Sequence, residues 1–164
     1  MKKIALLLLI AVAGCISAIA QEAAYPKYYP QKADNGLWGY VDDNNRWTIK
    51  PQYSALLYET NGGMYPVSLN GKWGYVGCSG EKLTEITYDA CVCEIDYPKN
   101  HYKVNFAALR KKGKWAFINV QGVFVTGFKY DEVMIYNGQY IIKIREGKSI
   151  KTGHLDNSGK EVWD

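Results

Sequence analysis

The heptapeptide NGLWGYV at residues 35–41 returns as NGKWGYV at 70–76 and, loosened, as KGKWAFI at 112–118. With Trp38, Trp73 and Trp115 as anchors, the same offsets carry the same residue types. Glycine stands two before (Gly36, Gly71, Gly113) and an aromatic ring two after (Tyr40, Tyr75, Phe117). Tyrosine stands fifteen after, at Tyr53, Tyr88 and Tyr130. The anchors are 35 and 42 residues apart. A register this long at this period describes a supersecondary unit that buries its apolar surface against copies of itself. If Thr152 takes the anchor place, Gly153, His154, Leu155 and Gly159 fall in the same register, giving three full units and part of a fourth.

Each offset has a physical cause. Asn35-Gly36 and Asn70-Gly71 suit two-residue type I′ hairpins, whose central residues both need positive φ. Asn45, Gly80 and Gly122, seven after the anchors, mark the next turn. In the strand between, Trp73 and Tyr75 point one way while Gly74 and Val76 point the other. The ring face supplies core, and the glycine face lets a neighbouring layer approach. Trp38, Trp73, Trp115, Tyr53, Tyr88 and Tyr130 are therefore expected to be structural, the tryptophans as core residues. Further runs such as MYPVSLN and QYIIKIR read as strands, and no segment shows a helical period. The expected fold is all-β, with units at about 25–60, 61–97, 98–135 and 136–164. An open solenoid-like array is favoured, because the partial last unit leaves an edge; closure into a small propeller is the alternative.

The combination of Gly-Lys-Trp-Gly-Tyr-Val, a D-x-x-G-like turn and a closing Tyr-Asp resembles the WG-repeat family, also called KWG repeats, found mostly in bacterial proteins. The resemblance covers nearly all of 33–164 and is strongest at 70–89 and 112–131, with Ala116 and Thr152 as departures. It implies a β-repeat module, usually of unassigned function, and carries over no catalytic residues.

Residues 1–20 read as a secretory signal peptide: Lys2 and Lys3, an apolar run of about ten residues, and Ala18-x-Ala20 ahead of Gln21. That run is shorter than the roughly 20 residues a membrane-spanning helix needs. VAGC at 12–15 offers the alternative of a lipoprotein anchored through Cys15. Residues 21–164 would then be the mature β domain, periplasmic or secreted, or membrane-anchored. Loss of Lys2 and Lys3 lowers the net charge from +4 to +2, and the one basic run, RKKGK at 110–114, straddles a turn. No nucleic-acid partner is expected from that balance. Of the exported cysteines, Cys78 and Cys93 lie at the ends of a strand pair that could close a disulfide, while Cys91, in register with Leu56 and Val133, reads as a small buried hydrophobe.

Motifs for chemistry are sparse. GCSG at 77–80 is not a nucleophile elbow, and GKS at 147–149 lacks the leading glycine and following helix of a phosphate loop. Cys91-x-Cys93 is not a zinc knuckle, and Asp156 to Gly159 falls short of a calcium loop. Asp89 and Asp131, after the closing tyrosines, are expected to bind turn amides, and His154 to be a packing substitute for the repeat's ring. No cofactor or metal is expected. The seven-residue excess of the second interval falls at EIDYPKNHY, 94–102, where Tyr97, Lys99, His101 and Tyr102 are the expected binding residues. The expected function is an exported, non-catalytic repeat module binding a protein or ligand of the bacterial cell envelope. A glycan-binding module using exposed Tyr and Trp is the alternative, and a hydrolase the remaining one.

Overall fold

The structure, a computed structural model, describes residues 28–57, 62–92, 105–136 and 139–164. Among the described residues there are only strands, turns and bends, with no helix. The strands are β1 (Tyr29–Lys32), β2 (Trp38–Val41), β3 (Trp47–Tyr53), β4 (Ala55–Leu56), β5 (Tyr65–Leu69), β6 (Lys72–Val76), β7 (Ala90–Val92), β8 (Phe106–Lys111), β9 (Lys114–Asn119), β10 (Glu132–Tyr136), β11 (Gln139–Glu146), β12 (Ser149–Leu155) and β13 (Glu161–Trp163). They form four antiparallel sheets in chain order: β1-β2-β3, β4-β5-β6, β7-β8-β9 and β10-β11-β12-β13.

The anchor and the closing tyrosine are cross-strand partners. Trp38 pairs with Tyr53 in the first sheet. In the second and third sheets the returning segment touches the anchor strand through isolated bridges, Trp73 to Tyr88 and Trp115 to Tyr130. The short strand after the closing tyrosine then crosses to the next sheet: β4 pairs with β5, β7 with β8 and β10 with β11. The second, third and fourth sheets thus draw their first strand from the preceding sequence unit, and the sheet boundaries fall at Ser54, Asp89 and Asp131, ahead of the expected unit boundaries.

Three apolar clusters join consecutive sheets. Tyr40, Ile49 and Tyr53 of the first sheet meet Tyr65, Val67 and Val76 of the second. Tyr75 and Tyr88 meet Ala107, Leu109 and Ile118. Phe117 and Tyr130 meet Tyr140, Ile142 and Leu155. The ring two after the anchor therefore faces the following sheet, and the apolar residue three after faces the preceding one, as period-two alternation requires. Among the described residues the three clusters link first to second, second to third and third to fourth sheets, and no cluster joins the fourth sheet to the first.

Four expectations change. Asn35 does not adopt positive φ, although Gly36 does; five residues separate the paired Lys32 and Trp38, one more than the four between Ser68 and Trp73, so the first hairpin is not type I′. The glycine after the anchor accommodates its own sheet rather than a neighbouring layer: a Cβ on Gly39, Gly74 or Gly153 would run into the carbonyl of Ile49, Glu85 or Val162 on the returning strand. Trp38, Trp73 and Trp115 are half-buried, whereas Tyr53, Tyr88 and Tyr130 are buried; basic side chains lie over two of these indoles, Lys32 on Trp38 at 5.9 Å and Arg110 on Trp115 at 6.0 Å. His154 is exposed rather than packed in the place of the repeat's ring.

Candidate functional site

The two ends of every sheet differ chemically. At one end stand the tight hairpins: Asn70 and Gly71 have φ of 50° and 74°, Lys112 and Gly113 of 51° and 80°. The closing aspartates also lie here. Asp89 accepts Lys72 Nζ at 2.6 Å through one oxygen and the Lys112 amide at 2.8 Å through the other. Asp131 does the same with Lys114 Nζ at 2.6 Å and the Arg145 amide at 2.8 Å. The lysine before the anchor and the aspartate after the closing tyrosine are one device, tying a sheet to the hairpin of the next. The first unit lacks both members, having Leu37 and Ser54 at those places. Both carboxyls are held below the usual range, first by the lysine hydrogen bond and then by the amide.

The opposite end carries a turn of fixed pattern, in which residue i donates to i+4 and accepts from i+3, at Asp42, Gly77, Asn119 and Asp156. Where residue i has a side-chain oxygen, that oxygen accepts two turn amides, as Asp42 Oδ1 does from Asn44 and Arg46, both at 2.9 Å. Gly77 has none, and the Glu81 carboxylate folds into the vacant place to accept the Ser79 amide at 3.0 Å. The Asp156 carboxylate is occupied in the same way by Ser158 and Lys160.

At this turn end, between the second and third sheets, lies an open cleft of about 330 Å³ lined by Lys82, Thr84, Glu85, Tyr88, Gly122 and Phe124 together with Leu83. Gly122 permits the close approach: at φ 78° it needs no side chain, and a Cβ would strike the Leu83 carbonyl. Tyr88 stacks on Phe128 at 5.9 Å and meets Phe124 at 6.1 Å, while Phe124 and Phe128 lie 5.3 Å apart. Phe124 remains 40% exposed despite these contacts. Burial, then the Glu85 charge, push the Tyr88 hydroxyl up. The Lys82–Glu85 ion pair, at 2.7 Å, forms the polar rim. A ring face beside hydrogen-bonding groups is equipped to bind a ligand.

Sequence reasoning missed this cleft, although a signal existed. The position nine after the anchor holds Trp47, Lys82, Phe124 and Glu161. It changes chemical type from unit to unit while its neighbours keep theirs, and its first three occupants are exposed. The expected binding residues Tyr97, Lys99, His101 and Tyr102 lie outside the described residues. The connection that contains them leaves β7 after Val92 and enters at Asn105 ahead of β8, whose first residue, Phe106, pairs with Asn119 of the turn that holds Gly122. The described residues that flank the connection, Val92 and Asn105, thus lie at the turn end, as the cleft does.

Cys78 is disulfide-bonded and packs against the first cluster. Cys93, its expected partner, lies outside the described residues. Cys91 pairs with Leu109, as Leu56 does with Val67 and Val133 with Ile142, and packs against the second cluster. Among the described residues no group of three or more His, Cys, Asp or Glu is placed to hold a metal ion, and no helix is long and apolar enough to cross a membrane.

Antiparallel sheets that repeat one turn, one cross-strand pair and one sheet-to-sheet contact define a β-repeat protein. Residues 38–73, a full period from anchor to anchor, match the family described as WG containing repeat. No curated protein and no solved structure matches the chain.

Proposed function

We propose that this chain is an exported, non-catalytic repeat module that binds a protein of the bacterial cell envelope through the turn end of its array. The observation that carries the reading is the division of labour within the repeat. The recurring tyrosines, aspartates and glycines are engaged in framework contacts, whereas Trp47, Lys82 and Phe124, at the variable position nine after the anchor, are exposed and Phe124 lines the cleft. Repeat arrays recognise partners in this way, through varied residues on a fixed frame. The signal-like residues 1–20 support export, with Cys15 as the alternative lipid anchor. The connection holding Tyr97, Lys99, His101 and Tyr102 joins Val92 to Asn105, both at the turn end, and these four residues are proposed to take part.

A glycan is the second reading, favoured by the exposed Phe124 ring beside Lys82, Thr84 and Glu85, since sugars stack on rings while their hydroxyls seek polar partners. To test both, the immobilised protein is exposed to envelope extract and, separately, to cell-wall and capsular polysaccharides. Phe124→Glu should abolish retention of the partner while the chain still unfolds cooperatively, its loss of ring contacts with Tyr88 and Phe128 lowering the melting temperature only modestly. Retention unchanged by Phe124→Glu and by shortening 94–102 would remove the turn end as the binding surface.

A further inference from the structure

The hairpin end of the array is strongly basic on one half only. Residues 110–114, around the β8–β9 turn, hold four cations and no anion, and residues 143–151, around the β11–β12 turn, hold four cations and one anion. The whole chain has a net charge of only +4, so its positive charge is concentrated on these two hairpins and the remainder is acidic. The other two hairpins differ: Lys32 is followed by Asp34 in the first, and Lys72 is engaged by Asp89 in the second.

The fold brings the two basic hairpins together. Asp131 accepts Lys114 Nζ from one and the Arg145 amide from the other, so a single carboxylate spans both tips. The anions beside them are already engaged: Asp131 by Lys114, Asp89 by Lys72 and Glu132 by Lys143. Glu146 is then the one unpaired anion of the two hairpins, against six exposed cations: Arg110, Lys111, Lys112, Arg145, Lys148 and Lys151. None of the six forms an ion pair among the described residues. Arg110, Lys111 and Lys151 lie over the rings of Trp115, Tyr88 and Trp163, contacts that orient the charge without neutralising it. Exposed apolar side chains stand on either side. Ile150, 51% exposed, pairs with Arg145 in the fourth sheet. Leu69, 37% exposed, stands at the tip of the second hairpin, which Asp89 ties to the Lys112 amide of the third sheet.

We propose that the hairpin tips of the third and fourth sheets, with Leu69 beside them, form a docking surface for an anionic phospholipid bilayer. Unpaired cations on neighbouring tips are drawn to lipid phosphates, and the attraction is screened by salt. The apolar side chains decide between anionic partners. A bilayer takes Ile150 and Leu69 into the boundary between headgroups and acyl chains, adding apolar burial to the charge attraction; an acidic polysaccharide leaves both in water. Since the cleft lies at the opposite end of the sheets, a chain held by its hairpin tips keeps the cleft open, and the proposal does not rest on what binds there.

The test is sedimentation of the gene product, as its host processes it, with vesicles of phosphatidylcholine alone or mixed with phosphatidylglycerol. Any attachment through residues 1–20 is common to parent and variants and cancels in the comparison. The parent should partition more strongly onto the phosphatidylglycerol vesicles and lose that excess as salt is raised. Arg145→Gln combined with Lys148→Gln should lower the partition about 25-fold, at about fivefold for each charge near the surface. Lys50→Gln combined with Lys160→Gln, which removes the same net charge from exposed places away from the tips, should lower it by less than about twofold, such charges lying beyond the screening length. Leu69→Ser combined with Ile150→Ser should weaken binding several-fold at low and high salt alike. Should the Arg145 variant melt unlike the parent, Lys112→Asn replaces it, asparagine tolerating the φ of 51°. Equal partition of the parent onto the two kinds of vesicle overturns the proposal, as does an equal loss in the tip and control pairs. Vesicle binding unmoved by the two serine substitutions also overturns it, and marks a surface for a soluble polyanion instead.

Discussion

Glycine follows the anchor tryptophan at 39 and 74 because the returning strand of the same sheet crosses directly over it. At Gly74 an added Cβ would lie 2.5 Å from the Glu85 carbonyl oxygen and 3.0 Å from Ile86 Cα, both backbone atoms that cannot swing away. Gly74→Ala should therefore destabilise by more than about 1 kcal/mol in urea unfolding, reversing the usual gain from removing a glycine. The half-buried anchor ring sets a lower cost than a core ring would: Trp73→Ala is expected to fall below the ~3–5 kcal/mol of fully enclosed aromatics, measured in the same way. The closing aspartate is a matter of charge. Asp131 titrates below its unfolded value because Lys114 and the Arg145 amide hold its charged form. Its contribution is then complete above the unfolded carboxylate value, about pH 4, and is lost as pH falls through the lower folded value. Asp131→Asn should melt below the parent at neutral pH, with the gap closing as pH drops below about 4. A gap that persists to pH 2 would mean that packing, not charge, carries the effect.

At the scale of strands and turns, the sequence pattern was most legible where one residue type answers one backbone need. The left-handed pair at 70–71, the ring alternation and the equivalence of Cys91 with Leu56 and Val133 across units could all be read from offsets alone. What escaped was contact between positions far apart in the chain. Nothing local marks Lys72 as the partner of Asp89, or shows that β4, only two residues long, belongs to the next sheet. The first hairpin eluded its Asn-Gly signal because one extra residue moved Asn35 out of the left-handed position. Cys78 illustrates the same boundary: its place in a turn was evident, its bonded state only in the structure. A bridge to Cys93 closes a loop of about 15 residues, for which chain entropy gives about 3 kcal/mol. Peptide mapping should therefore recover Cys78 linked to Cys93, and reduction should lower the melting temperature by several degrees; a linkage to any other cysteine refutes the assignment.

For the molecule as a whole, stability resides in three similar junctions, and a row of sheets in which each touches only its neighbours should behave nearly as a sum of them. The first junction is fixed by Tyr40, fully buried, whose hydroxyl reaches two carbonyls of the second sheet, at 2.6 Å and 3.2 Å. The third is fixed by Tyr130, whose hydroxyl donates to Glu161 at 2.7 Å while Lys129 pairs with the same carboxylate. Burial first, and then that hydrogen bond, keep the Tyr130 hydroxyl protonated far beyond its ordinary range. Burial disfavours the Glu161 charge, yet Lys129 and Tyr130 outweigh it and hold the carboxyl below its usual value. Tyr40→Phe should cost about 1–2 kcal/mol, since it strands buried acceptors, and Tyr130→Phe a similar amount. Because the two sites share no partner, the double variant should lose the sum to within about 0.5 kcal/mol. Tyr130→Phe combined with Glu161→Gln should instead fall short of additivity, the second change finding the bond already gone. Both cycles can be read from urea midpoints at constant slope. Coupling between Tyr40 and Tyr130 beyond about 0.5 kcal/mol would show that the first and fourth sheets communicate, and the open row would have to give way to a closed arrangement.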